Sequence, residues 1–451
     1  MQKNWPQPGL PPELRQADTS SEIHKPGFWK FLVWPRSRAI FVFSGIFLLT
    51  FFAFSLGTVS VRKNWIIWQK AKEAQNIVKS LYKTGKILPD RSFYPRARYA
   101  SNRQYTVFNN SAVSAGELAI TRLNPDTGLY VIDLLDTDGT VLHTWPIRYS
   151  RLVAGGSNQE FAHGTKVMRD GSVLVEFNDG AALARLDVCG EPIWVKSGDI
   201  YHHIIQAGAK GYWTWQSAIH SNSQDQKLAR FDPETGETLE TIDLVDDVIR
   251  LSPATALLAA IPPGFTFERR AWDWSMSDIF HPNDIEPLPA EIAGAFPQFS
   301  PGDLLISLRN LNLVAVLERR THRILWSAHG PWFKQHDPDW QRDGTITVFS
   351  NNPGRQRSDI VRIDPKTNVA KLLFGDGGPR FYSDVMGAHE KLPNGNWLIL
   401  SATEGRVIEV TADGGPVREY SNILNKKYNA VVPFAEHLPP GYFSTIPECG
   451  L

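Results

Sequence analysis

One hairpin, written six times, constrains this chain more than any other feature. Its copies are LYVIDLLDTDGTVLHTW (129–145), ALARLDVCGEPIWV (182–195), KLARFDPETGETLETI (227–242), NLVAVLERRTHRILW (312–326), DIVRIDPKTNVAKLLF (359–374) and GRVIEVTADGGPVREY (405–420). Each alternates apolar and polar residues, turns on short polar chemistry and alternates again, which is the sequence form of an antiparallel hairpin. With Gly139, Gly190, Gly236, His322, Asn368 and Gly414 as turn references, the spacings are 51, 46, 86, 46 and 46 residues. About that length is needed for one blade of four short strands. The long interval implies an insertion of roughly 40 residues on one blade, from about Val245 to Ser275.

A second element precedes most of the hairpins: His163-GTKVMRD-Gly171, His203-IIQAGAK-Gly211 and His336-DPDWQRD-Gly344, each with a His-to-Gly spacing of eight. His389-EKLPN-Gly395 is a version shortened to six, and His281-PNDIEPLP followed by Gly302 is a lengthened one. Each unit is therefore strand, turn, strand and outer hairpin. Radial repetition of such units leaves only short, protected edges, so the fold class is all-β, a six-bladed β-propeller over residues 104–451. The unit from Gln104 to Trp145 lacks the His, and the C-terminal VVPFAEHLPPGYFSTI is expected to add strands to that blade and close the ring. The abundance of Trp (15), Gly (34) and Pro (31) fits many short strands and tight turns.

Ahead of the repeats, Ala39–Val61 is an uncharged stretch of 23 residues, long enough to span a bilayer as an uncleaved helix. Residues 1–38 are Pro-rich and polar, read as a disordered cytoplasmic tail. Residues 62–103 are read as a juxtamembrane helix and linker, because 64–84 alternates apolar and charged positions at helical spacing. Lys25, Lys30, Arg36 and Arg38 before the span balance Arg62, Lys63, Lys70 and Lys72 after it, so charge does not set the orientation. The 47 basic and 47 acidic residues leave no net charge and imply no nucleic-acid surface. Cys189 and Cys449 are the only cysteines. One bridge and two free buried thiols stand equally as readings.

In a propeller the first strand of each blade lines the central channel. His163, His203, His281, His336 and His389 are thus expected to converge, although more than 220 residues separate the first from the last. Such a funnel suits either a metal or an anionic, proton-transferring reaction. Arg309, in the apolar run DLLISLRN on the second strand of the His281 blade, favours the anion, since a buried guanidinium needs a negative partner. Asp337 and Glu390 each follow a His and are expected to point the other way along their strands, which completes no convincing carboxylate–His metal site and makes the metal reading the weaker of the two. No metal and no cofactor are expected, and the chain has no P-loop, dinucleotide fingerprint or GxSxG elbow.

The repeats and their histidines resemble the arylsulfotransferase (aryl-sulfate sulfotransferase) family over most of 130–425. The likeness rests on FAHGTKVMRDGSVLVEF, HPNDIEPLP with GDLLISLRN, WFKQHDPDWQRDGTITVFSN and HEKLPNGNWLIL. It implies a membrane-anchored enzyme with an extracytoplasmic (periplasmic) propeller. That enzyme would move a sulfuryl group from an aryl sulfate to a phenol through a sulfohistidine, without a nucleotide sulfate donor. By motif, His336 matches the nucleophile, while His163, His281 and Arg309 match positions that hold sulfuryl oxygens and handle protons. His203, His389 and Asn283 are the expected substrate contacts. Implied partners are a small phenolic or aryl sulfate substrate, the membrane through the N-terminal helix, and other proteins. A non-catalytic, membrane-anchored propeller serving as scaffold or ligand-binding module is the alternative, and a metal-dependent propeller using the same histidines is a third reading.

Overall fold

The computed structural model describes residues 36–62, 102–158, 160–177, 182–218, 226–252, 280–353, 355–375 and 377–449. The expected cytoplasmic tail, the juxtamembrane helix and most of the insertion lie outside these residues. Helix α1 (Arg36–Arg62) contains the apolar run. Its segment Phe41–Val59 has a mean hydropathy of 2.0 and no residue buried against protein, and it is long and apolar enough to cross a membrane.

The remaining described residues fold into six antiparallel sheets, five of four strands and one of five. Taken in order, blade 1 spans 117–147, blade 2 162–197, blade 3 199–243, blade 4 282–328, blade 5 336–374 and blade 6 388–421. All six reference turn residues have positive φ, from 57° at Asn368 to 90° at Gly139, so the repeat register read from sequence is the register of the fold. At Gly190 this conformation also brings the chain close to blade 1. A Cβ there would lie 2.3 Å from the carbonyl oxygen of Pro146, so only glycine fits.

Burial explains the strand patterns. The second strands Val173–Phe177, Leu304–Leu308, Ile346–Ser350 and Trp397–Ser401 are buried throughout and read as near-continuous apolar runs. Outer strands such as Ile324–Ala328 have one face in solvent and alternate. Facing sheets enclose six apolar clusters, one at each blade interface: 1–2, 2–3, 3–4, 4–5, 5–6 and 6–1.

Both ends of the propeller close the ring. Phe434–Leu438 pairs with Glu117–Leu123 as the inner strand of blade 1, as the sequence leads one to expect. Tyr105–Val107 pairs with the outer strand Pro416–Ser421 of blade 6, which the sequence pattern does not announce. Cys189 and Cys449 form a disulfide that ties the C-terminal segment to a turn of blade 2. Of the insertion, Leu244–Ile249 is one wide helical turn whose Leu244, Val245, Val248 and Ile249 are buried between blades 3 and 4.

Candidate active site

Each blade presents its inner strand to the channel: Phe434–Leu438, Ala162–Val167, Asp199–Gly208, Pro282–Pro287, His336–Trp340 and Ala388–Lys391 for blades 1 to 6. In blades 2 to 5 these strands carry extra residues opposite their partner strand, between Ala162 and Thr165, His202 and Gln206, Pro282 and Asp284, and His336 and Asp339. A bulge breaks the two-residue side-chain period and re-aims what it holds. His163, His203 and Asn283 lie within such bulges, and His336 opens one.

His163, His203, Asn283 and His336 line one pocket together with Asp337, Met386, Gly387 and Phe434. The ring centroids of His163 and His203 are 4.6 Å apart, and those of His203 and His281 are 5.1 Å apart. The backbones of His203 and His281 take φ of 76° and 45°, a left-handed conformation that costs a non-glycine residue of order 1 kcal/mol and marks many functional sites. Burial, then the neighbouring His202 and His281, depress the His163 pKa to about 3. Burial, then the Arg309 guanidinium, hold His336 well below the usual imidazole range. Arg309 is therefore an electrostatic neighbour of His336. It opens a short helical turn (Arg309–Leu311) just past the strand that ends at Leu308, rather than lying on the strand.

His336 is held on both nitrogens. Its Nδ1 lies 2.7 Å from Oδ1 of Asn351, and its Nε2 accepts the backbone N–H of Met386 at 3.3 Å. The amide nitrogen of Asn351 donates to the carbonyls of Ser383 (2.8 Å) and Met386 (2.5 Å), so its oxygen must be the atom facing the ring. It follows that Nδ1 carries the proton and Nε2 the lone pair. Asn283 donates from Nδ2 to the Gln335 carbonyl at 2.8 Å, while its buried Oδ1 has no partner among the described residues.

Besides Arg309, two placements differ from the sequence reading. Asp337, expected to point away, lines the pocket because the bulge after His336 resets the alternation. His389 does not line it. The inner strand of blade 6 has no bulge, so Ala388, opposite Leu400, occupies the position that His336 takes opposite Phe349. The His-to-Gly spacing of six was the signal. His389 instead turns to Asp337, with Nδ1 2.9 Å from its Oδ2. Glu390 does point the opposite way, and its carboxylate accepts the backbone N–H of His437 at 3.2 Å. Asn351 was missed, although it is the final residue of the TVFSN run that carries the resemblance.

No curated protein matches the chain. Among solved structures it is similar to a protein of unknown function from Bacteroides caccae (12% identity, 70% of this chain and 99% of that one, TM-score 0.46). It is also similar to TolB from Acinetobacter baumannii (12%, 68% and 63%, TM-score 0.41) and to hydrazine synthase of Kuenenia stuttgartiensis (12%, 65% and 76%, TM-score 0.39). At that distance these likenesses carry nothing about chemistry. The family profile described as Arylsulfotransferase (ASST) matches residues 164–422, more than half of the chain and a span that takes in the inner strands of blades 3 to 6. The match supports aryl sulfotransfer as the general activity. With five histidines, Arg309 and the QHD run all at or within its reach, this chain belongs to the arylsulfotransferase family.

Proposed function

We propose that the propeller transfers a sulfuryl group from an aryl sulfate to a phenol, with His336 as the transient carrier. The observation that carries this reading is the fixed tautomer of pocket-lining His336: Nδ1–H donates to Asn351 Oδ1, which leaves the lone pair on Nε2, where only the long 3.3 Å contact from the Met386 N–H must be given up for attack. Nε2 attacks sulfur, an N–S bond forms, and the S–O bond to the aryl group breaks to release a phenolate. The acceptor phenol then attacks the same sulfur, gives its proton to a neighbouring imidazole, and His336 leaves as the neutral ring. His281, whose ring packs on His203, is the candidate for that proton, while His163, a weak base with a pKa of about 3, is suited to donating its neutral N–H to the sulfuryl oxygens. Arg309 and the N–H groups of neutral imidazoles are suited to the charge spread over the sulfuryl oxygens. His203 and Asn283 would orient the donor.

The pocket has a volume of about 40 Å³. One water needs roughly 10–15 Å³ of such space, so the pocket suits a sulfuryl group while the ring stays at its mouth. The membrane-length helix supports a single-pass anchor, and the Cys189–Cys449 disulfide supports a propeller on the extracytoplasmic side, where such bonds persist.

The test is release of a chromophore from a chromogenic aryl sulfate by the full chain in the presence of a phenol. His336→Gln, which keeps the side-chain bulk, is expected to lower release by more than about a thousandfold with unchanged circular dichroism. In the wild-type chain quenched before acceptor is added, the His336 peptide should gain the mass of one sulfuryl group. Release that survives the substitution removes His336 as carrier. No release by the folded wild-type chain favours a non-catalytic ligand-binding propeller.

A further inference from the structure

Beside the histidine pocket, the channel gathers carboxylates with little to neutralise them. Asp284 and Glu286 come from blade 4, Asp337 and Asp339 from blade 5, and Glu390 from blade 6. Asp339 lies in this cluster with its carboxylate 3.7 Å from the imidazole of His389. Either protons or a cation must offset so much negative charge in one place.

The imidazole of His389 supplies the geometry that favours a cation. Its side chain is fully enclosed, while Asp337 and Asp339 keep 19% and 23% of theirs open to the channel. Nδ1 donates to Asp337 Oδ2 at 2.9 Å, and the same oxygen also takes the His389 backbone N–H, so the ring is fixed with Nε2 turned to Asp339. That Nε2 has no hydrogen-bond partner among the described residues and faces Asp339 Oδ2 at 3.7 Å. Two such acceptor atoms, 3.7 Å apart and too far for a direct hydrogen bond, leave room for a positive ion between them. Ligand atoms of Asp337, Asp339 and His389 all fall within 4.8 Å of one another, which is the span of one coordination sphere. A carboxylate on the far nitrogen of a ligating histidine is also the usual device for orienting such a ring.

We propose that His389 Nε2 and the Asp339 carboxylate bind a divalent cation between blades 5 and 6, with Asp337 orienting the ring. The mixed nitrogen and oxygen set selects Zn²⁺ or Mn²⁺ over Mg²⁺ and Ca²⁺, which prefer oxygen alone. This site adjoins the histidine pocket, sharing Asp337 with its lining, and it would lock the two blades together beside His336.

The full chain in detergent, stripped with chelator, is titrated with Mn²⁺ or Zn²⁺ by calorimetry, with Mn²⁺ also followed by electron paramagnetic resonance. About one equivalent is expected, bound at least tenfold more tightly than Mg²⁺ and accompanied by a rise in melting temperature. Asp339→Asn, close to isosteric, should weaken binding at least tenfold. His389→Gln provides a second ligand deletion should the first variant misfold, and His281→Ala should bind as the wild type does. No stoichiometric binding means that protons alone neutralise the cluster. Undiminished affinity in Asp339→Asn, or loss in His281→Ala instead, moves the ion elsewhere, and either result overturns the proposal.

Discussion

The Oδ1 of Asn351 accepts from His336 at 2.7 Å, and its amide nitrogen is anchored on two carbonyls that no rotation could satisfy in reverse. Asn351 is in this sense a positioning residue: it meets no substrate but decides which imidazole nitrogen is nucleophilic. Asn351→Leu leaves Nδ1–H without an acceptor and allows the other tautomer. A fall in kcat of roughly a hundredfold with KM within a few-fold of wild type is expected, since orientation of the carrier is lost while donor binding is kept. Equal losses in kcat and in folded fraction would make Asn351 merely structural. The pairing was legible only in part. The QHD and FSN runs stand out in the sequence, but the contact across fifteen residues depends on the neighbouring chain at Ser383 and Met386, which no spacing encodes. The same limit holds for Asp337. Alternation predicts it to face away from His336, and one extra residue in the strand turns it back.

At the scale of the strand, the inner strand Phe434–Leu438 closes blade 1 and also grips blade 2. Glu436 accepts the backbone N–H of Val167 at 2.8 Å and forms an ion pair with Lys166. The ammonium of Lys166 is held charged by this carboxylate, which outweighs the effect of its burial. Removing one partner from a largely enclosed pair strands the other. Glu436→Ala is thus expected to destabilise the propeller by about 2–4 kcal/mol, read as a lower denaturant midpoint at unchanged slope. Lys166→Met combined with Glu436→Leu should recover most of that loss, because two apolar groups need no counter-charge. A double variant as unstable as the single one would mean that the backbone bond to Val167 is the stronger contribution. The strand itself was legible, since a His-less first unit needs a strand from the other end of the chain. Its ion pair was not, because Lys166 and Glu436 are 270 residues apart. The turns were the most legible elements of all, because positive φ demands particular residues and the sequence supplies them at blade-length intervals.

For the whole molecule, stability depends on how a ring of six blades is kept from opening. Each blade buries its apolar faces against two neighbours, so the 6–1 interface must hold although sequence does not connect it directly. Three closures act around that seam. Tyr105–Val107 extends blade 6, Phe434–Leu438 completes blade 1, and the disulfide fastens the segment beyond it to blade 2. The first two are noncovalent and can fray together, since both belong to the ends of the propeller. The bond between Cys189 and Cys449 spans 260 residues and limits how far the C-terminal strand can leave. By restricting the unfolded chain over so long a loop, it is expected to contribute about 2–4 kcal/mol. Cys449→Ser should therefore lower the melting temperature, Cys189→Ser should do so equally, and reductant should bring the wild type to the same value while leaving both variants unchanged. Protein made in a reducing cytosol should behave as the variants do, and protein exported to an oxidising compartment as the wild type. Were exported and cytosolic protein equally stable and equally insensitive to reductant, the bridge would carry no weight in closing the ring, and the extracytoplasmic placement of the propeller would lose the support that the disulfide gives it.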